Sequence, residues 1–426
     1  WHSHDNHKRG TFRNLRNLDL APVIVGSGYE LNDMGLNYRH DKVSDPVRKP
    51  CYSDGKRQEA VRDVLRKRAV DDHYNYYNVR HNFLGDELYL GSTVCYSPDC
   101  LKGFRESLKK QYENLGALNK EWNTAFKNWD EVVPCQLNEL KGKNNLSRWL
   151  DHKMFMAGVF AHQYAGKTRE YLNEAVPGTR FGLSGTQLPG YSYDWAQLMK
   201  HINFIAYYGG VQAKLVHDFG GADLISGQWG CGYVDTSVPH DQYQHASLWR
   251  NLFNGANLAA NYGAGSTING DMSLNSNIRV YSEVMREMKR GIAKLVLTSK
   301  PAGENVAVLY SQPSLFAAMG SIGINEWQNA YSGWNALLED LNINFRFISY
   351  EDLAEGLEGT RCKVLILPAS VALSPAQAKS MEQFVRSGGT VIADFAPGYF
   401  NGHGRKGNNA ELAALFGISA TDTALS

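Results

Sequence analysis

Residues 79–87 read Val-Arg-His-Asn-Phe-Leu-Gly-Asp-Glu. The run Val79–Leu84 has strand character and is closed by Gly85, so it reads as a strand with a loop behind it. A helix follows. Ser97-Pro98 offers an N-cap with proline at the first helical position, and Leu101, Phe104, Leu108, Tyr112 and Leu115 recur at steps of three and four. Strand, loop and helix in that order form one unit of a parallel α/β fold. The unit recurs on both sides. Candidate strands are Pro22–Val25, Arg180–Leu183, Ile202–Tyr207, Asp223–Ser226 and Ala256–Ala260, each followed by Gly, Asn or Asp and a loop. These make about six strand units where a closed barrel needs eight. The expected architecture over residues 1–301 is therefore an incomplete (β/α)8 TIM barrel whose first two strands are absent.

Pro301-Ala302-Gly303 marks a loop, and a second region follows over residues 302–426. It runs VAVLY (306–310), a helix around Trp327–Leu341, FRFIS (345–349), KVLILP (363–368), a helix from Ser374 and TVIADF (390–395). Ser374 and Gln377 form a capping box around Pro375, and Gly388-Gly389 ends that helix. The pattern is a doubly wound, flavodoxin- or amidotransferase-like α/β domain, cut short soon after Leu415-Phe416-Gly417. No Cys follows its KVLILP strand, where Ala369-Ser370-Val371 stand, and no phosphate-binding glycine loop is present. Packing or oligomerisation is its expected role.

Composition narrows the function classes. A net charge of +1 over 426 residues creates no field that would draw in nucleic acid or an anionic membrane. No apolar run reaches the ~18 residues of a membrane span. The 23 Tyr and 9 Trp suit interfaces and sugar platforms, although ordinary core packing accounts for most of them. Six Cys are too sparse for a disulfide scaffold. A chain opening on Trp1, without an initiator Met, leaves secretion open.

Barrel enzymes place their chemistry at the C-terminal ends of strands, and Asp86-Glu87 falls there. A carboxylic acid in that position can protonate a leaving oxygen if its surroundings raise its pKa. Taken alone, an acidic pair after a strand is more often a cap or an ion-pair partner. Its context is Cys95-Tyr-Ser-Pro-Asp-Cys100, then Phe104-Arg105, then Leu115-Gly-Ala-Leu-Asn119, Trp122, Thr124, Phe126 and Trp129. This run resembles glycoside hydrolase family 42, the barrel β-galactosidases, in order and spacing over about residues 80–130. A looser likeness extends upstream through Arg39-His40 and Cys51, and the C-terminal region resembles that family's trimerisation domain.

The resemblance implies a glycosidase acting on a β-galactoside or related glycan, with Glu87 as general acid/base and a homo-oligomer, a trimer among the candidates, as the assembly. Asp86 stands where the family has an Asn that contacts the sugar. An ionised Asp accepts a hydrogen bond but cannot donate one. The family's nucleophile is a Glu at the end of the seventh strand. Here Asp223–Ser226 is followed by Gly227-Gln228-Trp229-Gly230, with no Glu. Asp235 is the expected second catalytic carboxylate, with Asp271 as its rival, and Asp223 is placed at the opposite end of the barrel. Trp229 and Tyr207, with Tyr208 beside it, are expected sugar platforms; His81 and Asn82 lie within the strand. The other outcome is a non-hydrolytic glycan-binding protein on a decayed barrel. Family members can also hold a structural zinc. Cys51, Cys95 and Cys100 match three of its ligand positions, and Ser97 replaces the fourth, so the expectation is no cofactor, with a Cys51 disulfide or free thiols instead.

Overall fold

The structure is a computed structural model. It describes residues 51–75, 81–86, 94–140, 142–186, 193–228, 240–259, 276–299, 305–407 and 410–417, the short strands His2–Ser3 and Val23–Ile24, and positions 271, 273 and 303. Six strands form one parallel sheet in which spatial order follows chain order: β1 (His2–Ser3), β2 (Val23–Ile24), β3 (His81–Asp86), β4 (Arg180–Thr186), β5 (Phe204–Tyr207) and β6 (Ile225–Gln228). Neighbouring parallel strands in sequential order are what repeated right-handed crossovers produce, and the architecture is that of an α/β barrel with a following α/β domain.

Several expectations shift. β1 is a strand the sequence reading lacked, so one more strand precedes Val23 than was counted. β3 runs two residues later than expected and carries a register irregularity between Phe83 and Asp86, which draws Gly85 and Asp86 into the strand. Residues 256–259 are not a strand. They lie beside β6 through the Asn257 and Leu258 N–H groups, which both donate to the Ser226 carbonyl.

The second sheet has the order β11 (Thr390–Ala393), β9 (Val364–Leu367), β7 (Val306–Tyr310), β8 (Phe345–Ser349), all parallel. A parallel pair, β10 (Ala372–Leu373) and β12 (Phe400–Asn401), stands beside it. Its helices start as the local sequence dictates. Ser374 accepts from Gln377 N–H while the Gln377 side chain accepts from Ser374 N–H, with Pro375 opening the helix Pro375–Arg386. Helix Pro98–Gln111 is likewise capped by Ser97.

The two sheets share one core. Trp149, Phe181, Leu183 and Leu215 belong to the same buried cluster as Phe316, Trp327 and Phe347. Polar ties reinforce the junction. Leu146 N–H donates to Gly404 O at 2.8 Å, Lys406 N–H donates to Asn144 O at 2.8 Å, and Phe347 N–H donates to Asp218 at 2.7 Å.

Candidate active site

The C-terminal ends of β3 to β6 lie in register. Asp86 pairs with Ser184, Ser184 with Ala206, Thr186 with Tyr207, and Tyr207 with Gln228. Adjacent strands are ~4.8 Å apart. The row therefore brings Asp86, which ends β3, within two strand spacings of Tyr207 and three of Gln228. Glu87 follows Asp86 directly in sequence. Glu87, Trp229 and Asp235 themselves lie outside the described residues.

Tyr207 is fully buried in the shared core, so its ring is enclosed rather than open as a stacking platform. Its hydroxyl has no hydrogen-bond partner among the described residues, and burial pushes its pKa up. Tyr208 is half-buried and bridges to the next strand: the Gln228 side-chain N–H donates to its carbonyl at 3.0 Å. Gly209 makes this contact possible. With φ +107° it stands where a Cβ would come within 2.5 Å of the Gln228 amide nitrogen.

The end of β6 explains the missing carboxylate. A Cβ at Gly227 would lie 1.9 Å from the Leu258 carbonyl oxygen, so the backbone passing behind β6 leaves no room for any side chain there. Gln228 is turned toward Tyr208. Any second carboxylate from this part of the chain must come from beyond Gln228. Asp223 is indeed at the other end. It precedes β6, accepts from the Asn203 amide at 2.9 Å and lies 3.8 Å from the Arg169 guanidinium. Asp271 is exposed and closes a local turn, accepting from Ser273 N–H at 2.9 Å and from its hydroxyl at 2.6 Å.

One buried carboxyl escaped the sequence reading. Asp194 caps the helix Trp195–Leu198 and accepts from the Tyr350 hydroxyl at 2.7 Å, across the junction between the two sheets. Burial raises it to about 6, more than Tyr350 and the Gln197 N–H lower it. It is committed to both partners, which makes it a junction residue. Its signal in the sequence was only an Asp before a short helical run, which does not reveal a partner in the other domain.

Cys51, Cys95 and Cys100 are brought together, their sulfur atoms all within 4.8 Å of one another. Cys51 and Cys100 are 3.7 Å apart, near the ~3.8 Å edge of a tetrahedral zinc–thiolate site. The fourth corner fails. Ser97 Oγ lies 2.8 Å from Cys51 Sγ and 3.4 Å from Cys95 Sγ, but it also accepts the Cys100 N–H at 3.3 Å as helix cap. Among the described residues no further Cys, His, Asp or Glu joins the group; His152, packed on the Tyr96 ring, is not part of it. Structural zinc sites are closed by four sulfur or nitrogen ligands, and this donor set is one short. The hydrogen bonds from Cys100 and Cys51 favour a thiolate at Cys95, whose pKa is pulled down while that of Cys100 is pushed up.

Comparison with known proteins agrees with this geometry. Residues 48–217 match the family described as β-galactosidase, glycoside hydrolase family 42, and residues 304–425 match the β-galactosidase trimerisation domain. A β-galactosidase of Planococcus sp. (strain 'SOS Orange') is 22% identical over 346 residues, covering 72% of this chain and 50% of its own length. One from Geobacillus kaustophilus is 23% identical over 375 residues, covering 78% and 53%. The chain thus spans about half the length of the curated relatives it matches. Among solved structures, the cold-adapted β-galactosidase of Rahnella sp. R3 superposes with a TM-score of 0.72 at 16% identity, over 98% of this chain and 68% of that one. The β-galactosidase of Bacillus circulans sp. alkalophilus superposes at 0.68 and 19% identity, over 95% and 66%. These two share the fold. The chain is a divergent glycoside hydrolase family 42-like protein that joins a β-galactosidase-type barrel segment to a trimerisation-type α/β domain.

Proposed function

We propose that this chain belongs to a glycoside hydrolase that cleaves a β-linked galactoside or a related glycan, with Glu87 as general acid/base. The observation that carries this reading is the end of β3. Asp86 closes the strand in register with Ser184, on a row that continues through Ala206 of β5 and Gly227 of β6 at their C-terminal ends, and Glu87 is the next residue. An acid there protonates the glycosidic oxygen as the bond to the anomeric carbon breaks. In the second half-reaction its carboxylate takes the proton from water or from an acceptor hydroxyl.

The second carboxylate is assigned to Asp235. Gly227 excludes a side chain at the end of β6, and Asp235 is the next acid along the sequence. A nucleophile needs the two carboxyl groups ~5–5.5 Å apart, and a base acting through water needs ~6.5–9.5 Å. Trp229 supplies an apolar sugar-facing ring, whereas Tyr207 is enclosed and serves the core. The matched trimerisation segment supports a homo-oligomer, with a trimer as the specific expectation.

Hydrolysis of a panel of aryl β-glycosides by the full-length gene product, wild type against Glu87→Gln, tests the reading. Loss of the acid should lower turnover roughly 10²–10⁴-fold. Turnover that ignores Glu87 would remove it from the site. Sugar binding without turnover by the wild type would establish a glycan-binding protein instead.

A further inference from the structure

The thiol cluster has no fourth metal-ligating side chain among the described residues, but it has the geometry of a cross-link. Cys51 and Cys100 are 3.7 Å apart, sulfur to sulfur, so closing to a disulfide of ~2.05 Å asks for less than ~2 Å of approach. Cys51 is half-buried and reachable from solvent, whereas Cys95 and Cys100 are fully enclosed. Met156 Sδ backs Cys100 at 3.7 Å, and the Ser53 hydroxyl lies 3.3 Å from Cys100 Sγ. Cys100 is thereby held on the Cys51 side. Ser97, as helix cap, cannot compete for oxidation.

We propose that Cys51 and Cys100 form a reversible disulfide that staples the two segments carrying them. The oxidant is a small-molecule disulfide such as oxidised glutathione. Deprotonated Cys51 attacks one sulfur of the small disulfide, expelling one small thiolate. The Cys100 sulfur then attacks the Cys51 sulfur of the mixed disulfide, giving up its proton as it bonds, and the second small thiolate leaves and takes that proton. The net change is two protein thiols oxidised to one disulfide and one small disulfide reduced to two thiols, with the two protein protons passing to the departing thiolates. The staple joins the segment ahead of helix Gly55–Asn75 to the first turn of helix Pro98–Gln111 and closes a loop that contains β3. Cross-linking a loop of this length restricts the unfolded chain, so the oxidised form is the more stable one.

The test is to equilibrate the purified chain in graded ratios of reduced to oxidised glutathione. Free thiols are then blocked with iodoacetamide, and the linkages mapped by peptide mass spectrometry. Thermal unfolding and bound zinc are measured on the same samples. The expected result in oxidising buffer is a Cys51 peptide joined to the Cys100 peptide, Cys95 alkylated, and an unfolding temperature several degrees higher that falls back on reduction. Cys51→Ser should abolish both the linkage and the rise. Cys95→Ser should keep both, which guards against a Cys51 variant that simply folds poorly. Three results overturn the proposal: both Cys51 and Cys100 alkylated at every ratio, a linkage through Cys95 instead, or one equivalent of zinc that survives dialysis and blocks oxidation.

Discussion

The two parallel sheets of this chain are built alike but finished differently at their C-terminal edges. On the second sheet the polar side chains at three strand ends are engaged in the packing of neighbouring elements. The Tyr310 hydroxyl, at the end of β7, donates to Tyr193 O at 3.0 Å and receives Trp195 N–H at 3.4 Å. Ser349, at the end of β8, caps the next helix through a box with Asp352. Asp394, just past β11, accepts from Ala369 N–H at 2.7 Å and from the Trp334 indole at 2.8 Å. On the first sheet β3 ends on Asp86 with Glu87 next in sequence, and the buried Tyr207 hydroxyl at the end of β5 has no partner among the described residues. Strand ends tied into neighbouring elements serve packing, whereas the end of β3 carries an acidic pair at the C-terminal edge of a barrel sheet, where barrel enzymes place their chemistry. The same α/β plan therefore yields a scaffold in one domain and a candidate site in the other.

The comparison can be strained at its tightest point first. Gly227→Ala places a methyl group 1.9 Å from the Leu258 carbonyl and should cost on the order of 4 kcal/mol or more, read as a collapse of the unfolding temperature. Next comes the junction. Asp194 has a folded-state pKa of about 6, above its ordinary 3.8, so the folded protein holds a proton that the unfolded chain releases in that interval. Stability should then fall as pH rises from 4 to 6 and level off above, by about 3 kcal/mol in all. Asp194→Asn should flatten that slope in denaturant unfolding across this range; an unchanged slope would remove Asp194 as its source.

A matched pair of hydroxyl deletions sharpens the contrast between the edges. Tyr310→Phe strands buried partners and should cost about 1–3 kcal/mol of stability. Tyr207→Phe removes a group with no partner among the described residues, so stability should hold or rise. Equal stability losses in both would contradict the distinction. The smallest effect belongs to His403. Burial alone would lower its pKa, but the Asp151 carboxylate at 2.8 Å more than offsets this and raises it. Its contribution is full below the ordinary histidine pKa and is lost as pH rises through the raised value. His403→Gln should therefore cost roughly 1–2 kcal/mol at pH 5.5 and less at pH 8, measured by thermal unfolding.

Much of this molecule was legible residue by residue. VAVLY, FRFIS, KVLILP and the Ser374–Gln377 cap appear as read because their signals are local: strand-forming runs, and a cap whose two partners lie three residues apart. Local signals misplaced the end of β3, since the irregularity at Phe83–Asp86 depends on pairing with β4. They also suggested a strand after residue 256 where only two N–H groups reach Ser226 O. Tyr207 was expected to be an open platform because an aromatic after a strand gives no hint of what covers it.

What the sequence determined by itself was the repeating strand–loop–helix order, the caps and the acidic pair after β3. Only the tertiary structure decided that Gly227 must remain without a side chain, that Asp194 meets Tyr350, and that Asp151 gathers Tyr112, Trp122 and His403 around one carboxylate. The physical reason is range. Backbone propensity and capping act over a few residues, whereas burial, steric exclusion and a shared carboxylate depend on groups up to 291 positions apart, as Tyr112 and His403 are, that meet only when the two sheets pack on one core.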